Sequence, residues 1–366
     1  KRINYRFNEY ITMKLGFGLY RHMLNDQHYR FAKQCGATHI VVHLVDYFNN
    51  ENNNKENANQ PIGDVTGWGA AGNGKLWTLE FLLDLKKKIH SHGLKLEAIE
   101  NFDPAMWYDI LLDGPKKKIQ MELVKEQIRI VGKAGIPVFG YNFSLAGVSS
   151  RTIGKYARGK AESVGMEGNV DERPIANGMV WNMIYDNNAP KGTIPRISHH
   201  ELWKRLHYFL DNIIPVAEKA GVKMAAHPDD PPMPYVRNTP RLVYQPQMYQ
   251  RLLDMKPSAY NNLEFCLGSI AEMTEGDVYE ATNSYSKQQK IAYIHFRNVI
   301  GKVPYYKEVF VDEGDIDMIK ILKILKSNNF KGILIPDHTP QMTCEGAWYA
   351  GMAYAMGYMK ALLKLI

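Results

Sequence analysis

Four side chains able to bind a divalent metal stand at or near the ends of four successive short apolar runs. They are His227 after "VKMAA", Cys266 in "LEFCLGS", His295 in "AYIHFRN" and Asp337 in "ILIPDH". Imidazole, thiolate and carboxylate together suit a borderline ion such as Mn²⁺, Fe²⁺, Co²⁺ or Zn²⁺. Taken singly, each has an ordinary reading: a lone Cys is a small buried hydrophobe, and a strand-end Asp caps a helix. Their coincidence has chemical meaning only if the four runs are strands whose ends share one rim. The stretch "AAHPDDPP" (225–232) adds a local reason. Proline fixes its own φ and pushes its predecessor out of the helical region, so His227 sits on a stiff exit from its strand.

The elements that must position these groups repeat along the chain. Strands are expected at 14–20, 38–44, 94–100, 136–143, 222–227, 263–269, 292–298 and 333–338. Several are apolar nearly throughout, as in parallel strands covered on both faces. Amphipathic helical patterns lie between them. "KLWTLEFLLDLKKKIHSHG" and "HHELWKRLHYFLDNIIPVAEKAG" both end in Gly, a helix stop, and further helices are expected at 119–134, 315–327 and 345–365. Eight strands alternating with helices predict an α/β fold, one (β/α)₈ TIM barrel over residues 13–366, with an inserted segment after the fourth strand. A doubly wound open sheet is the alternative, weakened because no G-x-G-x-x-G or Walker loop follows any strand.

Two stretches break the rhythm. "NNENNNKENANQP" (49–61) reads as a polar loop or insertion, and 144–199, rich in Gly, Asn and Arg, reads as a lid over the face where barrels carry their active sites. Residues 1–12 read as an N-terminal extension or leader ahead of a natural start at Met13; they lack the apolar core of a signal peptide.

Composition bounds the partners. Of 366 residues, 45% are hydrophobic and 23% charged, which is ordinary for a globular chain. The net charge of +7 leaves an anionic partner open, but Lys and Arg are scattered, with only short runs such as 86–88 and 116–118, which argues against nucleic acid. No apolar stretch reaches the roughly 18 residues of a membrane helix. Three cysteines at 35, 266 and 344 are too few and too scattered for a disulfide framework, so a reducing, cytoplasmic location is expected. A homo-oligomer is left open.

The phrases "IIPVAEKAGVKMAAHPDDPP", "LEFCLGS", "YIHFRNV", "DEGDIDM" and "ILIPDH", with "AGIPVFGYNF" upstream, carry a resemblance. The chain resembles the mannonate dehydratase family, within the xylose-isomerase-like barrels. The resemblance implies a Mn²⁺ or Fe²⁺ ion held by His227, Cys266, His295 and Asp337. It implies dehydration of a small-molecule sugar acid, D-mannonate, to 2-keto-3-deoxy-D-gluconate. It also implies proton transfer by His338 and, by a looser alignment, Tyr349. The chemistry suits these residue types: a metal on the carboxylate and a neighbouring hydroxyl stabilises the developing enediolate, a base takes the C2 proton and an acid protonates the departing C3 hydroxyl. Arg297, two residues beyond His295, is expected to pair with the substrate carboxylate. Asp229 and Asp230 read either as support for a ligand or as turn residues, and Asn142 and Arg151 are weaker pocket candidates.

The chain also departs from the family. "SLAGVSSRTIG" follows "YNF" without the family's tryptophan, "YVRNTPRLVY" follows "HPDDPP", and the opening "GFGLYRH" differs. A different aldonic or uronic acid, or isomerase or epimerase chemistry on the same barrel, therefore stays open. A nuclease barrel and a catalytically silent sugar-binding barrel are the remaining readings. The first predicts a clustered basic face, and the second predicts loss of the ligands or of His338.

Overall fold

The computed structural model describes residues 13–48, 60–61 and 67–366. Residues 1–12, expected to be an extension or leader, and most of the Asn-rich stretch lie outside these residues. Eight parallel strands close into a barrel: Lys14–Leu19, His39–His43, Lys95–Glu100, Val138–Tyr141, Lys223–Ala226, Asn261–Cys266, Ile291–His295 and Ile333–Ile335. Each pairs with its sequence neighbours and the eighth closes on the first, Lys14 opposite Ile333. All eight expected strands are present, and a doubly wound sheet is excluded by this closure.

The strands are short because the barrel wall needs only a few residues of each. Thus the expected 263–269 strand ends at Cys266, and Leu267–Glu272 is already a helix whose N-cap is that same cysteine. Likewise His227, Arg297 and Asp337 lie just past their strands, on the turns that leave the rim. Helices surround the barrel where the pattern predicted them. His199–Ala220 starts at a capping box, Ser198 accepting from the Glu201 amide with Glu at the third helical position, and ends on Gly221 at φ 69°. Inside the barrel, close packing leaves no room for side chains at two positions. A Cβ on Gly16 would meet Ile333 at 2.0 Å, and one on Gly140 would meet Glu264 Oε2 and the Tyr293 hydroxyl at 2.4 Å.

The long connection after the fourth strand is built of ordered elements, among them the stretch "GMVWNMIY" at 178–185. That stretch makes a small hairpin, Met179–Val180 with Met183–Ile184. Upstream, Thr152–Ala157 and Ala161–Glu167 pair with a second hairpin, Asn298–Lys302 and Tyr305–Val309, which follows the seventh barrel strand. The four make one antiparallel side sheet, so two insertions far apart in sequence are joined beside the rim. Among the described residues, no helix is long and apolar enough to cross a membrane.

Candidate active site

The C-terminal ends of the strands surround a pocket with about 530 Å³ of space, part of it open to solvent. Its lining divides by position around the barrel. The fifth, seventh and eighth strands contribute His227, Asp230, His295, Asp337 and His338; the first four, with their loops, contribute Tyr20, His43, Glu100, Asn142, Arg151 and Trp181, among others.

His227, Cys266 and His295 offer ligand atoms that all lie within 4.8 Å of one another. Asp337 Oδ2 is 3.6 Å from His295 Nδ1. The hydrogen bonds around this group suit metal ligation. His227 Nδ1 sits 2.6 Å from the Pro228 carbonyl, which fixes the proton there and leaves Nε2 for an ion. His295 Nε2 lies 3.3 Å from both Glu100 and Glu264, whereas its buried Nδ1 has no hydrogen-bond partner. A histidine whose second nitrogen is held by a carboxylate or carbonyl is the usual form of a metal-binding imidazole. Cys266 is fully buried, which by itself raises a thiol's pKa; the Arg297 guanidinium and the neighbouring His227 and His295 imidazoles outweigh burial and hold it well below its ordinary value. The donor set therefore fits a borderline divalent ion.

A second group, Glu100, Glu264 and His295, is also close enough to hold an ion. Its two carboxyls share one buried space and cannot both ionise cheaply. Burial and the charge of Glu100 push Glu264 well above the ordinary range. For Glu100, burial works upward but His43 and His295 prevail and hold it low. The two carboxyls are thus pushed apart in pKa, and both lie 3.3 Å from His295 Nε2, where they can support that ring.

Arg297 lies below the cavity rather than in its wall, with its side chain 1% exposed. Its guanidinium approaches Asp230 and Glu272 at 3.1 Å, Glu308 at 3.3 Å and Asp337 at 3.7 Å, and Cys266 Sγ at 3.6 Å. Tyr349 does not line the cavity: its hydroxyl takes a hydrogen bond from Gln27 at 3.0 Å and lies 3.2 Å from His28 Nε2. His338 does line it, with Nδ1 2.6 Å from Glu308 Oε2 and Nε2 3.3 Å from Asp337.

The two aspartates of "HPDDPP" have different tasks. Asp229 accepts from the Leu242 and Val243 amides at 2.8 and 2.9 Å and pairs with buried Arg241, which pins the following loop. Asp230 faces the cavity and pairs with Arg297. Asn142 lines the cavity and donates to Asn101, which donates to the Tyr47 hydroxyl.

Several lining residues escaped the sequence reading. His43 and Glu100 are the last residues of the second and third strands, so the rule that singled out the candidate ligands would have found them too. Tyr20 follows the first strand and its ring packs on His43 at 4.7 Å. Trp181 had no signal: it enters from the small hairpin, in a turn where it and Asn182 both have positive φ (49° and 58°), and packs edge-on against Trp68. Two tryptophans thus reach the cavity although the segment directly after "YNF" has none.

A closed parallel barrel with this strand-end cluster has the architecture of the xylose-isomerase-like barrels. The fold matches D-psicose 3-epimerase from Clostridium cellulolyticum H10 with TM-score 0.58 at 11% identity, over 96% of this chain and 99% of that one. Residues 33–366 match the profile of the family described as D-mannonate dehydratase (UxuA). A mannonate dehydratase of Streptococcus equi subsp. zooepidemicus is 35% identical over 277 residues, 72% of this chain and 75% of that protein. The mannonate dehydratase structure from Streptococcus suis serotype 2 superposes with TM-score 0.74 at 26% identity, over 96% of this chain and 93% of its own. The chain belongs to the D-mannonate dehydratase family, and so to the hydro-lyases.

Proposed function

We propose that the protein is a metal-dependent dehydratase converting D-mannonate to 2-keto-3-deoxy-D-gluconate and water. The observation that carries this reading is the convergence of His227, Cys266 and His295, with Asp337 beside them, on a cavity that His338 also lines. We assign the ion to these four residues, with Mn²⁺ or Fe²⁺ as its identity. When bound, it supplies electrophilic polarisation of the substrate carboxylate and adjacent hydroxyl, which stabilises negative charge as the C2–H bond breaks.

The chain's own side chains do the rest. Arg151 lines the cavity and is the cation we assign to the substrate carboxylate, because Arg297 is enclosed by acidic groups beneath the site. His338 carries one of the two protons that must move. The base removes the proton from C2, the C3–O bond breaks with its electron pair leaving on oxygen, and the acid completes a water molecule; the resulting enol returns to the 2-keto acid. Tyr20 and His43 also line the wall and can carry protons, and we assign the second transfer to this pair rather than to Tyr349. The two tryptophans, Trp68 and Trp181, restrict the space at the first-half wall and exclude water from the reacting carbons.

The test is product analysis. Metal-reconstituted protein is incubated with D-mannonate and a panel of other aldonic and uronic acids, with and without chelator, and 2-keto-3-deoxy acid is followed. Chelator-sensitive dehydration of mannonate supports the reading. Metal binding with dehydration of another acid alone moves the substrate assignment, and isomerised product without water loss overturns the reaction.

A further inference from the structure

We propose that Asn101 is a positioning residue: it holds Tyr47 and Asn142 as the part of the wall that receives a substrate hydroxyl beyond the reacting carbons. The three side chains form a continuous polar chain, and all three line the pocket. Asn142 Nδ2 donates to Asn101 Oδ1 at 2.8 Å, and Asn101 Nδ2 donates to the Tyr47 hydroxyl at 3.1 Å. Turning both amides over reverses the chain and leaves the same three groups joined. In either direction Asn142 keeps a free N–H, and the Tyr47 oxygen keeps capacity for one further bond. Among the described residues, neither side chain makes another hydrogen bond.

The backbone supports the same reading. The third barrel strand ends at Glu100, and the next residue, buried Asn101, turns into the left-handed region at φ 69° while its amide still donates to the Gly140 carbonyl at 3.0 Å. Asn enters this region more readily than other residues with a side chain. One residue thus combines the turn off the strand with an amide that bridges its two neighbours. The surroundings give the bridge a use. The Tyr47 ring packs on Trp181 at 5.4 Å and on Trp68 at 5.7 Å, so its hydroxyl is a polar point in an aromatic surface. An apolar wall discriminates weakly between acids, whereas a group built to hydrogen-bond a hydroxyl rejects the analogue that lacks it. A sugar acid whose carboxylate and adjacent hydroxyl face the candidate ligands on the last four strands extends the rest of its chain toward the other arc, where this polar chain stands.

The inference rests on the sugar-acid reading of the pocket, so its test reads binding rather than turnover. The Mn²⁺-loaded full chain carrying His338→Asn is titrated calorimetrically with D-mannonate or, if another acid of the panel binds instead, with that acid. Tyr47→Phe, Asn142→Ala and Asn101→Gly, the last of which accepts the left-handed backbone without strain, should each weaken binding roughly 3–30-fold. The same titrations use forms of the acid that lack one hydroxyl beyond C3. One of them should bind the unsubstituted protein more weakly and be indifferent, within about twofold, to Tyr47→Phe and Asn101→Gly. Asn101→Gly combined with Tyr47→Phe should lose less than the product of the two single losses. With His338 intact, Asn101→Gly should raise KM while kcat stays within about threefold. Unchanged binding in all three variants, an equal penalty on every analogue, or losses that multiply in full would overturn the proposal. If Asn101→Gly does not fold, Tyr47→Phe, which deletes one oxygen, carries the analogue test. An acid that binds without being dehydrated by the native protein removes the reaction assignment, and its binding data still decide this inference.

Discussion

The Arg297 guanidinium lies 3.6 Å from the Cys266 sulfur and, with the same group, pairs with Asp230, Glu272 and Glu308. One cation thus faces three buried carboxyls and helps hold the Cys266 thiol below its ordinary pKa. Removing one partner of a buried ion pair leaves the others uncompensated, at a cost of roughly 3–5 kcal/mol. Arg297→Met should lose about that much stability in urea unfolding; a loss under about 1 kcal/mol would mean the acidic groups do not depend on it.

Cys266 contributes a sulfur that no other residue of the cluster can supply. Cys266→Ser keeps the size of the side chain, so stability in the absence of metal should stay within about 1 kcal/mol. Ion affinity should fall more than tenfold, beyond the lower end of what supporting residues cost. Elemental analysis after dialysis measures the ion directly. The Co²⁺-loaded protein should also lose its thiolate charge-transfer band.

Arg151 is assigned to the substrate carboxylate. Its replacement by Met should cost the equivalent of one charged hydrogen bond, about 1.5–3 kcal/mol or roughly 10–100-fold in kcat/KM, carried mainly by KM. An unchanged KM would remove it from substrate binding.

Tyr349→Phe deletes a hydroxyl that meets Gln27 and His28 outside the cavity. Activity should stay within about twofold and stability within about 1.5 kcal/mol. A loss of kcat by orders of magnitude would return this tyrosine to the chemistry.

The side of the barrel bearing the long insertion has its own pH dependence. Burial pushes Asp171 upward, but its hydrogen bonds from Arg173 and the charges of Arg173 and Arg237 prevail and leave it below the ordinary value. A carboxylate whose pKa is lowered on folding stabilises above its unfolded pKa, near 3.9, and that contribution disappears as pH falls through the folded value. Asp171→Asn should therefore lower the melting temperature at pH 7, and the two proteins should converge in acid. Parallel melting curves from pH 7 to pH 3 would contradict this.

The convergence of His227, Cys266, His295 and Asp337 was legible in the sequence because a parallel barrel makes strand ends equivalent: once the apolar runs are recognised, their last residues share a rim whatever their separation in the chain. His43 and Glu100 obey the same rule and needed only its application to the first half. Glu308 and Trp181 could not be read in this way. Each enters from a hairpin that exists through pairing or contact with distant segments, and no local pattern records such pairing. Arg297 does not line the cavity for a related reason. The strand stops at His295, so the alternation that would have sent Arg297 to the cavity face ends before reaching it.

The separation of the lining into two arcs has a bearing on how such an enzyme changes over generations. The four candidate ion ligands come from the last four strands, whereas most other residues lining the chamber come from the first four and their loops. Substitutions at Trp68, Val148 or Trp181 alter which molecule is admitted without disturbing a ligand. A duplicated copy can therefore try new substrates while inheriting its reaction intact.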